Sequence, residues 1–246
     1  MKILICLSHV PDTTARISFI EKDTKLDKEG LPYIIGPYED YALSWAVDYK
    51  AEHPDTEIHV LHVGLSESES ILRKALAIGA DAAFLLEEDA EDAYQIATHI
   101  SNHAVDQSYD LILTGRESIE TNRGITHYLI GDNLGIPVLC PVMKLSISAK
   151  KAIIELEIEG GVAEVEASLP LVLGCQEPIA EWKIPNMRGI MTARSKPLNR
   201  IKPSRIDPLV SRQKYEKLAP RKEAQLIDPK NPQELIQKLK EEAKVI

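Results

Sequence analysis

Lys2 to Leu7 (KILICL) is a run in which apolar side chains follow one another with no polar alternation. A strand with one wet face alternates, so an unbroken run suits a strand buried on both faces, as in a parallel sheet. Similar short runs return at Glu57–Val63 (EIHVLHV), Ala82–Leu86 and Asp110–Leu113 (DLIL). Between them the apolar period lengthens. From Glu39, the residues Ala42, Trp45, Ala46 and Tyr49 recur at three and four, which predicts a helix that ends at His53-Pro54. A second helix is predicted from Ser66 to Gly79, with Ser66 and Glu69 at capping-box spacing and Gly79 at the position after the last turn. Further helices are predicted over Ala90–Val105 and between Gly124 and Asn133. Strands and helices thus alternate, the signature of a parallel sheet covered by helices on both faces. Ligands of such sheets sit beyond the carboxyl ends of the strands, which directs attention to Ser8–Thr14, Val63–Ser66 and Thr114–Gly124.

Two segments break this rhythm. Residues 15–35 hold two β-like runs, Arg16–Ile20 and Pro32–Ile35, with the polar EKDTKLDKEG between them, and read as a hairpin-like excursion. After Pro137 the pattern becomes strict alternation: Lys144–Ala149, Lys151–Glu159 and Val162–Ser168, the last two separated by Gly160-Gly161. This predicts an antiparallel hairpin with one wet face. Leu171–Leu173 reads as another short buried strand, and Pro232–Lys244 as an amphipathic helix with Leu235, Ile236 and Leu239 on one face.

Charge divides the chain more sharply than hydrophobicity does. The net charge of −9 is the sum of −17 over residues 1–180 (13 Lys+Arg, 30 Asp+Glu) and +8 over residues 181–246 (16 and 8). Seven of the 15 prolines (Pro185, Pro197, Pro203, Pro208, Pro220, Pro229 and Pro232) fall in the basic part, and no glycine follows Gly189. An acidic body with a basic, proline-spaced tail suggests either a solvated end or an arm lying on an acidic partner. Nucleic acid fits poorly, since the body is acidic and only Trp182 and Tyr215 are available in the tail for stacking. No stretch nears the roughly 18 apolar residues of a membrane span, so no direct membrane insertion is expected. Ile3–Leu7 is too short for a secretory apolar region. Three scattered cysteines, Cys6, Cys140 and Cys175, argue for a reducing compartment, and a cytoplasmic protein is expected.

Catalytic constellations are missing from the residue pattern. No GxSxG, GxxxxGK[ST] or GxGxxG motif occurs. His99 and His103 are spaced i, i+4 without the Glu of an HExxH pair, and His59 and His62 point to opposite faces of a strand. His9 follows the first strand, where a loop histidine is expected. Cys6 sits inside a strand, whereas reactive cysteines need an exposed electropositive setting. What the pattern does offer is a place for a nucleotide. Thr121, Asn122, Gly124 and Thr126 are small or polar and stand where a helix begins after a strand, where unpaired amides collect. Simple capping of that helix is the competing explanation.

Six segments, in register over residues 1–198, together resemble the small (beta) subunit family of electron transfer flavoproteins. They are KILICLSHVPDT, IIGPYEDYALSWAVDYK, LRKALAIGADAAFLLE, DLILTGRESIETNRG, LEIEGGVAEVEASLPLVLGC and EWKIPNMRGIMTARSKPL. The resemblance implies a Rossmann-like, adenine-nucleotide alpha-hydrolase-like parallel sheet with an antiparallel hairpin extension and a C-terminal arm. It implies an electron-carrier subunit rather than an enzyme, shuttling electrons from a dehydrogenase donor to an acceptor. The carrier is FAD, held mainly by an alpha-subunit partner, with AMP or a second FAD as a further nucleotide.

Carried onto this sequence, the resemblance implies cofactor contacts at Cys6, at Gly36, Pro37, Tyr38 and Glu39, at Val63, and along Glu120, Thr121, Asn122, Arg123, Gly124, Ile125, Thr126 and His127. Tyr38 is the implied flavin neighbour. Met187, Arg188, Ile190 and Met191 fall in the implied docking loop for the dehydrogenase, with Met187 as its anchor. The sequence departs from the family at Gly36, where the family has Asn. It departs again at Glu120 and Asn122 for an Asp-x-Asp pair, and at Ile125 and His127 for Gln and Gly. The expected organisation is a nucleotide-binding domain over 1–184 containing the hairpin at 144–168, a recognition loop at 185–198 and an arm at 199–246. Two other readings share the βα alternation. A stand-alone universal-stress-like nucleotide-binding protein requires a G-x2-G-x9-G-[ST] loop, whereas Gly115, Gly124 and Gly131 have other spacings. An adenylate-forming hydrolase relative would need an SGGxD-type loop, which is missing.

Overall fold

The computed structural model describes residues 1–219 and 223–246; Pro220 and its two successors, part of the expected arm, lie outside the described residues. In chain order the strands are β1 (Lys2–Cys6), β2 (His9–Pro11), β3 (Phe19–Ile20), β4 (Lys25–Leu26), β5 (Tyr33–Ile35), β6 (Glu57–Gly64), β7 (Ala82–Glu87), β8 (Leu111–Gly115), β9 (Val138–Ser148), β10 (Lys151–Ile158), β11 (Gly161–Ser168), β12 (Leu171–Cys175) and β13 (Leu198–Ile201). The helices are α1 (Pro37–Glu52), α2 (Glu69–Ile78), α3 (Ala93–Ala104), α4 (Thr126–Leu134), α5 (Met187–Ala193) and α6 (Pro232–Lys238).

Nine strands form one sheet in the order β11-β10-β9-β12-β8-β1-β6-β7-β13. All pairings from β9 to β13 across the sheet are parallel, and β9, β10 and β11 pair antiparallel at one end. The α/β, Rossmann-like architecture and its hairpin extension are as expected. The unbroken run of β1 is explained by its two neighbours and two covered faces. Ile3 and Ile5 pack with Leu43, Trp45, Leu72 and Leu76 of α1 and α2. Leu4 and Cys6 pack on the other face with Ala97 and Ile100 of α3 and Ile130 of α4. Full burial of such side chains is worth about 1.5–3 kcal/mol each. Aromatics contribute little to this core beyond Tyr109 and Trp45, and the Trp45 indole Nε1–H also donates to the Leu145 carbonyl at 3.0 Å, joining α1 to β9.

Several local expectations change. Arg16–Ile20 and Pro32–Ile35 do not pair with each other: Phe19–Ile20 pairs with Lys25–Leu26, and Tyr33–Ile35 pairs with His9–Pro11. Adjacency in sequence favoured the short ribbon, and the exit of β1 captured the second run. α1 begins at Pro37 rather than Glu39, because a proline fits the first turn of a helix, where no amide donor is needed. The capping box at Ser66 and Glu69 is not made. Residues Ser66–Ser68 form a 3-10 turn, and Glu69 instead accepts from Arg73 (3.2 Å) and Arg200 (2.6 Å), a tertiary ion pair outbidding a local cap. The turn of the β10–β11 hairpin is Glu159-Gly160, one residue earlier than Gly160-Gly161, since Ile158 pairs with Gly161. Gly160 takes φ +81°, which favours glycine.

The chain from residue 185 is also more structured than a loop and a free tail. Met187–Ala193 is a helix, capped by Asn186 Oδ1 accepting from the Gly189 amide at 2.8 Å. Leu198–Ile201 then adds β13 to the edge of the parallel sheet beside β7. Among the described residues no helix is long and apolar enough to cross a membrane.

Candidate functional site

The sheet order places β1 between β8 and β6, with β6 and β7 added on one side and β8 and β12 on the other. Connections leaving β1 and β8 therefore diverge, opening a crevice at their carboxyl ends, the usual ligand position in doubly wound sheets. Three groups of implied contacts meet there. Cys6 is the last residue of β1, Val63 is near the end of β6, and Gly36-Pro37-Tyr38-Glu39 enters α1. Gly115 ends β8 against the same α1 turn: a Cβ on Gly115 would lie 2.7 Å from Tyr38 Cβ and 2.9 Å from Glu39 Oε2. A Cβ on Gly36 would collide with the Glu39 carboxyl and the Ser8 hydroxyl. Bare backbone at these two positions lets the α1 entrance close onto β8.

Glu39 is the most unusual group in the crevice. It is 5% exposed, and no cationic side chain pairs with it among the described residues. Ser8 Oγ–H donates to its Oε1 at 2.6 Å, while its Oε2 is buried without a partner. Burial pushes its pKa up to about 7, against the opposing hydrogen bonds from Ser8 and from its own amide. Cys6 is buried beside it, and burial first and the Glu39 charge second push that thiol well above its ordinary range. Cys6 is thus an inert packing group here. Tyr38 is half-buried, with the Arg116 guanidinium carbon 5.9 Å from its ring centroid. Arg116 in turn donates to Gln176 Oε1 at 2.6 Å.

A second polar cluster lies next to it. His62 Nδ1–H donates to the Leu7 carbonyl at 2.8 Å, and burial pushes its pKa down to about 4. His9 stacks on Tyr33 at 4.3 Å between centroids and meets the edge of His62 at 6.1 Å. Residue order alone placed His9 in a loop; it is in fact the first residue of β2, held in an aromatic stack.

The loop Glu120–Thr126 behaves differently along its length. Glu120, Thr121, Asn122, Arg123 and Ile125 are exposed, and Thr126 opens α4. Asn122 and Gly124 both adopt left-handed backbone, with φ +49° and +59°. His127 turns away from the loop. It is 1% exposed, 3.3 Å by its Nδ1 from where a Cβ on Gly174 would stand, and its Nε2 has no partner. Burial pushes its pKa down to about 4, so it is a neutral ring between α4 and β12. Met187, Arg188, Ile190 and Met191 lie on the exposed side of α5, a helix that packs on α2 through Gly189 and Ala193. Met187 is 75% and Met191 71% exposed. Gly189 permits this close approach, since a Cβ there would strike the Ala77 carbonyl.

Two buried groups escaped the sequence reading, Asp92 and Gln95 at the start of α3. Asp92 Oδ1 accepts from the Gln95 amide at 2.8 Å, and Gln95 Oε1 accepts from the Glu91 amide at 2.8 Å. The spacing Asp-x-x-Gln before an apolar-periodic run was the available signal.

For a flavin or nucleotide the fit can be judged on the crevice itself. The aromatic face of Tyr38, with the Arg116 guanidinium beside it, suits a planar ring, while the orphan Glu39 Oε2 is enclosed against Gly36 and Gly115, out of reach of an incoming group. The chain matches the family described as "Electron transfer flavoprotein domain" over residues 23–206. The electron transfer flavoprotein subunit beta of Bacillus subtilis is 32% identical over the full length of both chains. A subunit of the caffeyl-CoA reductase-Etf complex of Acetobacterium woodii, CarD, is 33% identical over 80% of this chain and 77% of its own. The subunit beta of Syntrophomonas wolfei is 31% identical over 80% and 78%. By its motifs, its sheet and these relatives, one of them matched over its full length, the chain belongs to the electron transfer flavoprotein family.

Proposed function

We propose that this chain is the small subunit of an electron-carrying flavoprotein, and that its crevice between β1 and β8 faces the flavin of a larger, alpha-type subunit. The observation that carries the reading is the α1 entrance: Gly36, Gly115, Tyr38 and the half-satisfied Glu39 meet at the switch point of the sheet, in a chain matched over its full length by a beta subunit. Bound FAD supplies the chemistry of accepting electrons and handing them on. The chain's own residues orient and exclude. Tyr38 offers a ring face, Ser8 holds the buried Glu39 in place, and the apolar Cys6 and Val63 keep water from the floor. The exposed strip Thr121–Gly124 is the candidate position for a second nucleotide's phosphate, AMP or FAD. The exposed methionines of α5, flexible and polarizable, suit an adaptable contact with a donor dehydrogenase. The universal-stress reading is not favoured, because the glycine spacing it requires is missing and β13, α5 and the arm have no part in it.

Co-expression with an alpha-type subunit tests this. A stable heterodimer carrying FAD is expected, and Met187→Ala is expected to slow electron transfer from the dehydrogenase severalfold with FAD content unchanged. Recovery of the chain free of both partner and flavin would reject the reading.

A further inference from the structure

The capping box of α3 has spare hydrogen-bonding groups, and all of them are used by the same distant segment. Asp92 is 4% exposed; with Oδ1 occupied by the Gln95 amide, its Oδ2 accepts from the Leu209 amide at 2.7 Å and the Val210 amide at 2.9 Å. Gln95, also 4% exposed, uses its Oε1 locally, and its Nε2–H donates to the Ile206 carbonyl at 2.7 Å. Three backbone groups of the arm root are therefore held by two side chains of one helix start. Every contact goes to main chain, so this clamp uses none of the arm's side chains. Past this point the arm crosses the carboxyl-end side of the sheet. Arg212 lies 3.8 Å from Glu120 in the loop after β8. The Tyr215 amide then donates to the Asp23 carbonyl at 2.6 Å, and its ring stacks on Phe19 at 4.5 Å, in the excursion after β1. Those two loops flank the crevice. Beyond them Leu218 and Leu226 stand 95% and 96% exposed.

We propose that Asp92 and Gln95 are positioning residues for the larger subunit: they fix the root of the arm and lay residues 209–217 across the mouth of the crevice, so that the partner meets an arm already ordered at its base. The inference rests on the proposed pairing with a larger subunit and takes the basic arm, of the two explanations its charge allows, as the one lying on that partner. Its physical basis is that immobilising a segment before association removes that ordering cost from the binding step. A carboxylate is the right group for the task, because hydrogen bonds to an ionised acceptor are about twice as strong as neutral ones. Burial by itself pushes the Asp92 pKa up, but the amides of Gln95, Val210 and Leu209 outweigh it and hold the group below its ordinary value.

The test separates cap from clamp. Asp92→Ser keeps one oxygen for the Gln95 amide and loses the acceptor for the arm. By hydrogen exchange on the full chain, the Leu209 and Val210 amides are expected to exchange at least tenfold faster, with the Gln95 amide unchanged. Affinity for the alpha-type subunit is expected to fall about tenfold. Gln95→Leu, which leaves the Asp92 cap in place, is expected to loosen the arm root in the same sense and serves if Asp92→Ser does not fold. Unchanged exchange at Leu209 and Val210, or lost protection with full affinity, would overturn the inference. Removal of residues 207–246 is the separate control. If that deletion leaves affinity intact, the reading of the arm as a grip fails; if it weakens binding while Asp92→Ser does not, only the role of the clamp fails.

Discussion

Leu72 and Leu226 are the same residue in two solvents. Leu72 sits on α2 with 0% exposure, enclosed by β1, α1 and β7 side chains; Leu226 stands 96% exposed on the basic arm. The body carries −17 over residues 1–180 and still buries a continuous apolar layer on each face of its sheet, while the tail carries +8 and leaves Leu209, Val210, Leu218, Leu226, Leu235 and Ile236 in water. The difference teaches that the chain folds in two currencies. The body is stable through its own packing, whereas the arm is fixed at its root by hydrogen bonds to backbone and leaves its apolar side chains exposed. Charge repulsion between the parts is not the reason, since opposite charges attract; the arm is simply too poor in glycine turns and too rich in proline to fold back into a core.

The sharpest way to break this contrast is a pair of truncations. Leu72→Ala is expected to cost about 2–5 kcal/mol by the cavity it leaves, and Leu226→Ala less than about 0.5 kcal/mol, both read by denaturant unfolding. Equal losses would place Leu226 in a packed environment. Next is Glu39, where the body bears an internal cost. A buried carboxyl with its pKa raised from 4.5 to about 7 holds its proton more tightly in the folded chain than in the unfolded one. Stability is therefore lost as pH rises from about 4.5 to about 7 and stays lost above. Glu39→Gln is expected to leave melting unchanged at pH 4.5 and to raise it at pH 8. The ceiling is roughly 3 kcal/mol, or about 6–12 °C for a chain of this size. A gain that is the same at both pH values would refute a titrating Glu39. The smallest effect is expected at the junction of the two parts. Gly189→Ala drives a methyl into the Ala77 carbonyl and lifts α5 from α2. Trypsin is expected to cleave faster after Arg188 and Arg194, with global stability changed by under about 1 kcal/mol. Unchanged cleavage would mean that α5 is held by contacts other than this close approach.

How far the sequence was legible differs between elements. The parallel strands were readable because burial on both faces leaves an unbroken apolar run, and β1 is the clearest example. The β10–β11 hairpin was readable for the opposite reason, one wet face. The turn between them slipped by one residue because two adjacent glycines satisfy two registers equally, and the pairing of Ile158 with Gly161 selects one. The failed capping box at Ser66 has the same origin. Spacing describes what Glu69 is able to do locally, but Arg200 arrives from 131 residues away and takes its carboxylate. In the candidate site, the approach of Gly36, Tyr38 and Glu39 to the end of β1 followed from the family resemblance, but the orphan state of Glu39 Oε2 did not. Nor did the inward turn of His127, which depends on the bare backbone of Gly174 opposite.

By itself, then, the sequence determined the alternation of strands and helices, the acidic body and basic tail, and the family to which the chain belongs. These depend on period, composition and ordered motifs, which are properties of the chain read in one dimension. Only the tertiary structure decided which carboxylates are buried without a cation, that Met187–Ala193 is a helix seated on α2, and that β13 extends the sheet. It alone also joined Asp92 to Leu209 and Val210 across 117 and 118 residues. A buried polar group must find its partner wherever the fold brings one within about 3 Å, and no local pattern carries that distance.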